Sequence, residues 1–225
     1  MFSLKEVKAN PYITEFIQQT EKVLASLSYT DHGFRHADLV ARRARRIAQE
    51  IGLNKKDEEM ASIAGYCHDI GNFLSRSFHN YLGALLFYQT FSKTEGAFDV
   101  KEMTTIIQAI SNHDKRVEDM SFVNPISAIV VLADKSDVHR SRVIVKEIEE
   151  IKADIHDRVN YATQMSKLEV DKRKKKIILT LKIDTNFVPV MEYFEIFTDR
   201  MVFCRKAAES LGYNFSLVIN KFRLL

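Results

Sequence analysis

Apolar side chains recur every three or four residues along most of the first 140 positions, the repeat of helices that turn one face inward. This periodicity predicts helices over about 12–27, 34–51, 56–68, 79–91, 101–112 and 125–139. In the second, Val40, Ala44, Ile47 and Ile51 share a face and Gly52 supplies the stop. In the third, Met60, Ile63, Ala64 and Cys67 point inward and Gly71 follows as a stop. After about residue 165 the period changes to two: Ile177, Leu179, Leu181 and Ile183 alternate with Ile178, Thr180 and Lys182. A weaker strand over 166–170 precedes this one, and 171–175 forms the hairpin tip. Pro189 opens and Gly212 closes a long helix, in which Val190, Phe194, Phe197, Met201, Cys204, Ala208 and Leu211 recur at helical spacing. A last strand covers 215–219. The expected fold class is mainly α. A helical domain occupies 1–142, a helical connector 143–164, and a small α+β module of β-β-α-β order 165–225.

Composition alters this picture little. Hydrophobic residues at 46% and charged residues at 28% are ordinary for a globular chain, and a net charge of +3 is too small to imply nucleic acid or a membrane. The longest apolar run, Ile129 to Ala133, is far short of a bilayer span. The N-terminus lacks a basic start, an apolar stretch and a small-residue cleavage site, so no secretory signal is expected. Cys67 and Cys204 both fall inside apolar helical patterns, as suits a reducing compartment, and the expected location is the cytoplasm.

The histidines carry the chemistry. His36 stands on the buried stripe of its helix, and His68 with Asp69 closes the next. His79 opens an inward face continued by Leu82, Gly83 and Leu86; His113 follows Ile106 and Ile110; Asp134 follows Val130 and Ala133. Taken singly, each histidine reads as a hydrogen-bonded core residue, and His68-Asp69 as a helix end with a surface acid. Taken together, five helices each direct an imidazole or a carboxylate at the core side. An ionised carboxylate buried without a partner is very costly. Two carboxylates and four imidazoles that converge therefore call for cations.

The order His…His-Asp…Asp is carried by His36 in Phe34-Arg35-His36-Ala37-Asp38, by Cys67-His68-Asp69-Ile70-Gly71 and by Asp134 in Leu132-Ala133-Asp134-Lys135. Over about residues 30–142 it resembles the signature of the HD superfamily of metal-dependent phosphohydrolases. His79 and His113 look like the additional ligands of its binuclear branch, which includes symmetric diadenosine tetraphosphate hydrolases and HD-GYP cyclic-dinucleotide phosphodiesterases. Two departures matter. The lysine that often follows His-Asp-x-Gly is Asn72 here, so no phosphate contact carries over to that position. The Gly-Tyr-Pro element is absent after His113, which argues against cyclic di-GMP. The last 60 or so residues resemble no known family.

The resemblance implies hydrolysis of a phosphoester or phosphoanhydride, of a nucleotide or dinucleotide, by a metal-bridging hydroxide. The alternatives are a non-catalytic nucleotide-binding regulator on an HD scaffold and a di-iron oxygenase of HD type. If His36, His68 and Asp134 hold one ion and His79 and His113 the other, Asp69 is the bridge, with the ions about 3.5–4 Å apart. This nitrogen and oxygen set favours two divalent or trivalent ions of iron or manganese over closed tetrahedral zinc; zinc, cobalt and magnesium remain open. Asp69 and Asp137 are the catalytic candidates. Asp137, one turn from Asp134, acts either as a partner of the ligands or, with His139 nearby, as general acid. Lys135, Arg140, Arg142 and Lys115, with Arg116 beside it, are the phosphate-binding candidates, each weighed against a solvated surface cation. His32 reads as a loop residue at the surface and His156 as structural. The basic run 172–176 reads as a solvated hairpin tip, so nucleic acid is not expected as a partner. The stripe over 190–211 could seam a homodimer, although covering Leu179 and Leu181 explains it more simply. The expected partner is a small phosphorylated substrate, a nucleotide, with no membrane involved.

Overall fold

A computed structural model describes residues 1–115, 122–144 and 147–224 of the chain. Among the described residues seven helices come first: α1 (Leu4–Lys8), α2 (Pro11–Ser26), α3 (Phe34–Ile51), α4 (Lys55–Cys67), α5 (His79–Phe91), α6 (Val100–Asn112) and α7 (Pro125–Lys135). A 3₁₀ turn at Arg140–Arg142 leads to the short helices α8 (Ile148–Ala153) and α9 (Ile155–Ala162). Then follow β1 (Thr163–Asp171), β2 (Lys176–Ile183), α10 (Val190–Ser210), β3 (Asn214–Ile219) and β4 (Phe222–Arg223). The protein is thus mainly α with a small C-terminal α+β part. Among the described residues no helix is long and apolar enough to cross a membrane.

Local chemistry sets most boundaries. Asn54 caps α4 by accepting from the Asp57 amide, and an Asp99–Glu102 capping box opens α6. Asn124 caps α7 ahead of Pro125 in its first turn. Gly52, at φ 92°, ends α3 in the left-handed region that only glycine enters freely. The third predicted helix was assigned one inward face, but α4 is buried all round from Met60 to Cys67 because α3, α6 and α7 surround it. It is the central helix.

Two boundaries and two short elements differ most from the prediction. α7 stops at Lys135 rather than running to His139. Ser136 Oγ bonds back to the Ala133 carbonyl, and the next side chain, Asp137, is drawn out of helical register to meet His36 and Arg35. β1 starts at Thr163, ahead of the predicted 166, with a register shift between Thr163 and Met165. α1 and β4 were not predicted; at five and two residues they are too short to show a period.

The sheet order is β1-β2-β3-β4, with β1/β2 and β3/β4 antiparallel and β2/β3 parallel. β2 buries Ile177, Leu179, Leu181 and Ile183 and leaves the alternate residues partly exposed. α10 joins the parallel pair and packs on both the sheet and α7. Its Phe197, Met201, Cys204 and Ala208 are therefore covered by the chain itself, not held free as a dimer seam. The residues of the β1–β2 tip, 172–175, are exposed. One hydrophobic cluster runs from Val7 through Ile129 to Ile219, so the helical and α+β parts share a core.

Candidate metal centre

Five elements deliver the six predicted side chains to one place. His68 is the C-cap of α4 and His113 that of α6, while Asp134 lies in the last turn of α7. Three helix C-termini, each with a partial negative charge, thus face the same point, a field that favours cations. His36 comes from the first turn of α3, and His79 is the first residue of α5. The α5 contact depends on Gly71. A Cβ there would lie 2.2 Å from the His79 carbonyl oxygen and 2.5 Å from the Gly83 amide nitrogen. Only a residue without a side chain lets the turn after Asp69 approach α5 so closely.

Asp69 is the centre of the arrangement. Its Oδ2 lies 3.2 Å from His68 Nε2 and 3.6 Å from His36 Nε2. Its Oδ1 lies 3.3 Å from His79 Nε2 and 3.5 Å from His113 Nε2. Asp134 Oδ1 adds to the first pair, 3.5 Å from His36 Nε2 and 3.7 Å from His68 Nε2. Three sets of donor atoms fall within 4.8 Å of one another: His36, His68 and Asp69; His68, His113 and Asp134; and Asp69, His79 and His113.

The hydrogen bonds of the imidazoles test whether this set fits metal. His68 Nδ1 donates to the Gly65 carbonyl at 2.8 Å, His79 Nδ1 to the Arg76 carbonyl at 2.8 Å, and His113 Nδ1 to the Ile110 carbonyl at 2.7 Å. A carbonyl only accepts, so Nδ1 of each ring carries a proton and Nε2 is the atom turned inward, free to serve as a metal ligand. His36 Nδ1 donates to Asp137 Oδ2 at 2.7 Å with the same result. The inward Nε2 atoms then stand 3.1 Å apart between His36 and His68, and 3.0 Å apart between His79 and His113. Such a face repels itself unless a cation lies within it, and imidazole with carboxylate suits a transition metal.

Charges reinforce the point. Burial alone would raise the carboxyls of Asp69 and Asp134, but His68 and His113 around the first, and Lys135 and His36 around the second, hold both well below the ordinary range. Burial and then the neighbouring His113 push His79 down to about 4. Burial would lower His68 as well, but Asp69 outweighs it and the ring is raised.

The other candidates take several positions. Asp137 is buried beneath His36, bonded also to Arg35 at 2.9 Å. Burial opposes its ionisation, but the His36 hydrogen bond and then Arg142 hold its carboxyl well below the ordinary range. Lys135 is buried, with Nζ 2.7 Å from Asp114 and 3.0 Å from Asp134. Arg142 is buried too. It donates to the Asp137 carbonyl at 2.9 Å and the Asp31 carbonyl at 3.2 Å, tying the exit of α7 to the entry of α3. Arg140 is exposed and lies over the Tyr161 ring of α9, and Lys115 lies over Tyr81; neither is brought into the cluster. Arg116 lies outside the described residues. His139 bonds to Ser141 and to the Gln164 carbonyl, not to the cluster. His32, predicted at the surface, is buried: Nδ1 donates to the Thr30 carbonyl and Nε2 accepts from Arg142 at 3.0 Å. Burial and then Arg142 hold His32 well below its usual pKa, and so neutral.

Sequence reasoning missed four residues here. Asn72 donates to Asp69 Oδ1 at 2.8 Å and accepts from Arg76, whose guanidinium lies 3.3 Å from both ring nitrogens of His79. Asp114 anchors Lys135, and Arg35 anchors Asp137. The adjacency of Asp114 to His113 was the one signal on offer.

Comparison with known proteins follows the same residues. The HD domain family matches residues 33–161, a span that holds all six side chains of the cluster. Ribonuclease Y of Mycoplasma mycoides is 30% identical over 158 residues, covering 69% of this chain and 34% of that protein. Ribonuclease Y of Mycoplasma capricolum subsp. capricolum is 30% identical over 151 residues, covering 66% of this chain and 26% of that protein. The chain spans about a third or less of the length of these relatives. With more than half of its residues matched, and with the His-Asp pair at the centre of the matched part, the chain belongs to the HD domain family.

Proposed function

We propose that this protein is a metal-dependent phosphohydrolase that cleaves a phosphoester or phosphoanhydride bond, with a nucleotide as the substrate class. One observation carries the reading: Asp69 presents one oxygen to His36 and His68 and the other to His79 and His113, as a carboxylate shared by two ions would. His36, His68 and Asp134 would hold one ion and His79 and His113 the other, with iron or manganese preferred for this donor set. When bound, such ions offset charge on phosphoryl oxygens and make a nearby water acidic enough to attack at neutral pH. The chain's own residues orient this chemistry. Asp137 and three backbone carbonyls fix the imidazole tautomers, and Asn72 fixes Asp69. Lys135 steadies Asp134 and Asp114. The similarity to ribonuclease Y favours a second reading, in which the scissile bond is an RNA phosphodiester.

The test is metal analysis joined to a substrate panel. Protein purified without chelators is expected to hold about two ions per chain and, with manganese, to hydrolyse members of a panel of nucleotides, dinucleoside polyphosphates and a short RNA. Asp69→Ala and His68→Ala should lose both metal and turnover. Full activity in either variant would refute the reading. Oxygen consumption with a mixed-valent iron signal would replace it with the oxygenase, and nucleotide binding without turnover would replace it with the regulator.

A further inference from the structure

Outside the cluster, α10 presents a further guanidinium beside the end of α7. Arg200 lies at the edge of the buried stripe, one residue before Met201 and three before Phe203. Its guanidinium sits over the Phe197 ring, 4.8 Å from the centroid, and the Lys135 ammonium sits over Phe203 at 5.9 Å. Because α10 packs on α7, Arg200 shares the space at the end of α7 with Lys135, Asp134 and Asp114. Among the described residues it has no hydrogen-bond or ion-pair partner.

Three other cations around the cluster have carboxylate partners. Lys135 has Asp114 and Asp134, Arg35 has Asp31 and Asp137, and Arg142 has Asp137 and two backbone carbonyls. Among the described residues Arg43 bonds only to the Ser136 hydroxyl and the Ser166 carbonyl, on the far side of Asp137, and Arg76 also differs. It is partly buried against Asn72, His79 and the Tyr29 ring, and among the described residues it has no carboxylate partner. Arg200 and Arg76 are close enough to feel each other's charge, and burial, then Arg142, lowers the proton affinity of Arg200. Two guanidiniums that feel each other's charge and have no carboxylate bonded to them repel each other, and an anion held by both would relieve this.

We propose that Arg200, with Arg76, binds a second phosphoryl group of the substrate, so that residues beyond the HD match complete the site and select substrates with two phosphates in tandem. The proposal rests on the phosphohydrolase reading: the metal cluster takes the phosphoryl group that reacts, and the two guanidiniums take its neighbour. Guanidinium suits this task because its paired N–H groups fit two phosphate oxygens at once. A monophosphate bound at the cluster leaves Arg200 unused, whereas a pyrophosphate-type ligand reaches both.

The experiment is titration calorimetry of metal-loaded protein with inorganic pyrophosphate and with inorganic phosphate, beside metal analysis and thermal unfolding. Arg200→Met is expected to weaken pyrophosphate binding about 10–100-fold and to change phosphate binding less than about twofold, with metal content unchanged. Its melting temperature should stay level or rise, because an unpaired charge is removed. Arg200→Lys should fall between, and it keeps the test open if the methionine variant misfolds. Lys174→Met, at the exposed hairpin tip, should match the wild type. Equal pyrophosphate affinity in wild type and both Arg200 variants, with metal retained, would overturn the role of Arg200 and leave the hydrolase reading standing. A wild type that binds metal but neither anion would overturn both.

Discussion

Replacing Gly71 with alanine is expected to pull the two halves of the cluster apart. The new Cβ would lie 2.2 Å from the His79 carbonyl oxygen, 2.5 Å from the Gly83 nitrogen and 3.1 Å from the Gly83 Cα. All three atoms are backbone, so no side chain can rotate away. Restoring ordinary contact needs a shift of about 1 Å between the turn after Asp69 and the start of α5, an overpacking strain of about 1–3 kcal/mol. For a chain of this size that is about 3–10 °C in melting temperature. His79 is the first residue of α5, so the shift also moves its Nε2, 3.3 Å from Asp69 Oδ1, out of position. Metal affinity on that side should fall by at least about tenfold. Gly83→Ala is the control. Its Cβ would meet the Gly71 nitrogen at 3.3 Å and the His68 carbonyl oxygen at 3.4 Å. That needs only a slight adjustment, and a helix-interior alanine returns up to about 1 kcal/mol. Calorimetric melting of metal-stripped protein and counting of bound metal read the two effects separately. If both alanine variants match the wild type in both measurements, the close approach does not position His79.

Three further outcomes are expected. Asp137→Asn, which keeps an acceptor for His36 Nδ1 but loses the charge, should weaken metal binding by about 10–100-fold in a chelator competition; unchanged affinity would remove Asp137 from the site's support. Metal-stripped protein should lose stability as pH falls. His79, with a folded pKa of about 4 against an unfolded value near 6.5, and His32, also depressed, must each take up a proton on unfolding. The stability they contribute is complete above about pH 6.5 and is lost as pH falls towards 4, with raised His68 opposing only in part. Urea midpoints that rise between pH 7 and 4.5 would contradict this assignment. Finally, Ala at positions 172, 173 and 174 together should leave the unfolding free energy, read by urea titration, within about 0.5 kcal/mol of wild type, since all three side chains are exposed; a larger loss would mean that the tip makes a stabilising contact.

Where local chemistry decides structure, the sequence could be read closely. α3 and α5 start and stop where their period and flanking residues place them. The six cluster residues stood out because each lies at an element end or on an inward face. Asn72 and Arg76 meet Asp69 and His79 within four positions, but only the turn geometry after α4 turns them together. Other missed features depend on distant partners: Arg35 and Arg200 look like surface cations until tertiary packing brings them beside Asp137 and the end of α7. His32 stands in a loop, and only Arg142, far along the chain, makes it a buried residue. The end of α7 was misplaced for the same reason. Nothing within the segment 125–139 shows that Asp137 must leave the helix, because its acceptor role is set by His36.

The parallel pairing of β2 with β3 also bears on how the chain folds as it is made. At translation speeds of about 5–20 residues per second, β1 and β2 emerge a few seconds before the strand that flanks β2. During that interval the Leu179 and Leu181 face of the hairpin is bare, and α7 lacks the helix that will cover it. A nascent chain paused between β2 and α10 therefore carries two uncovered apolar faces, which α10 and then β3 conceal.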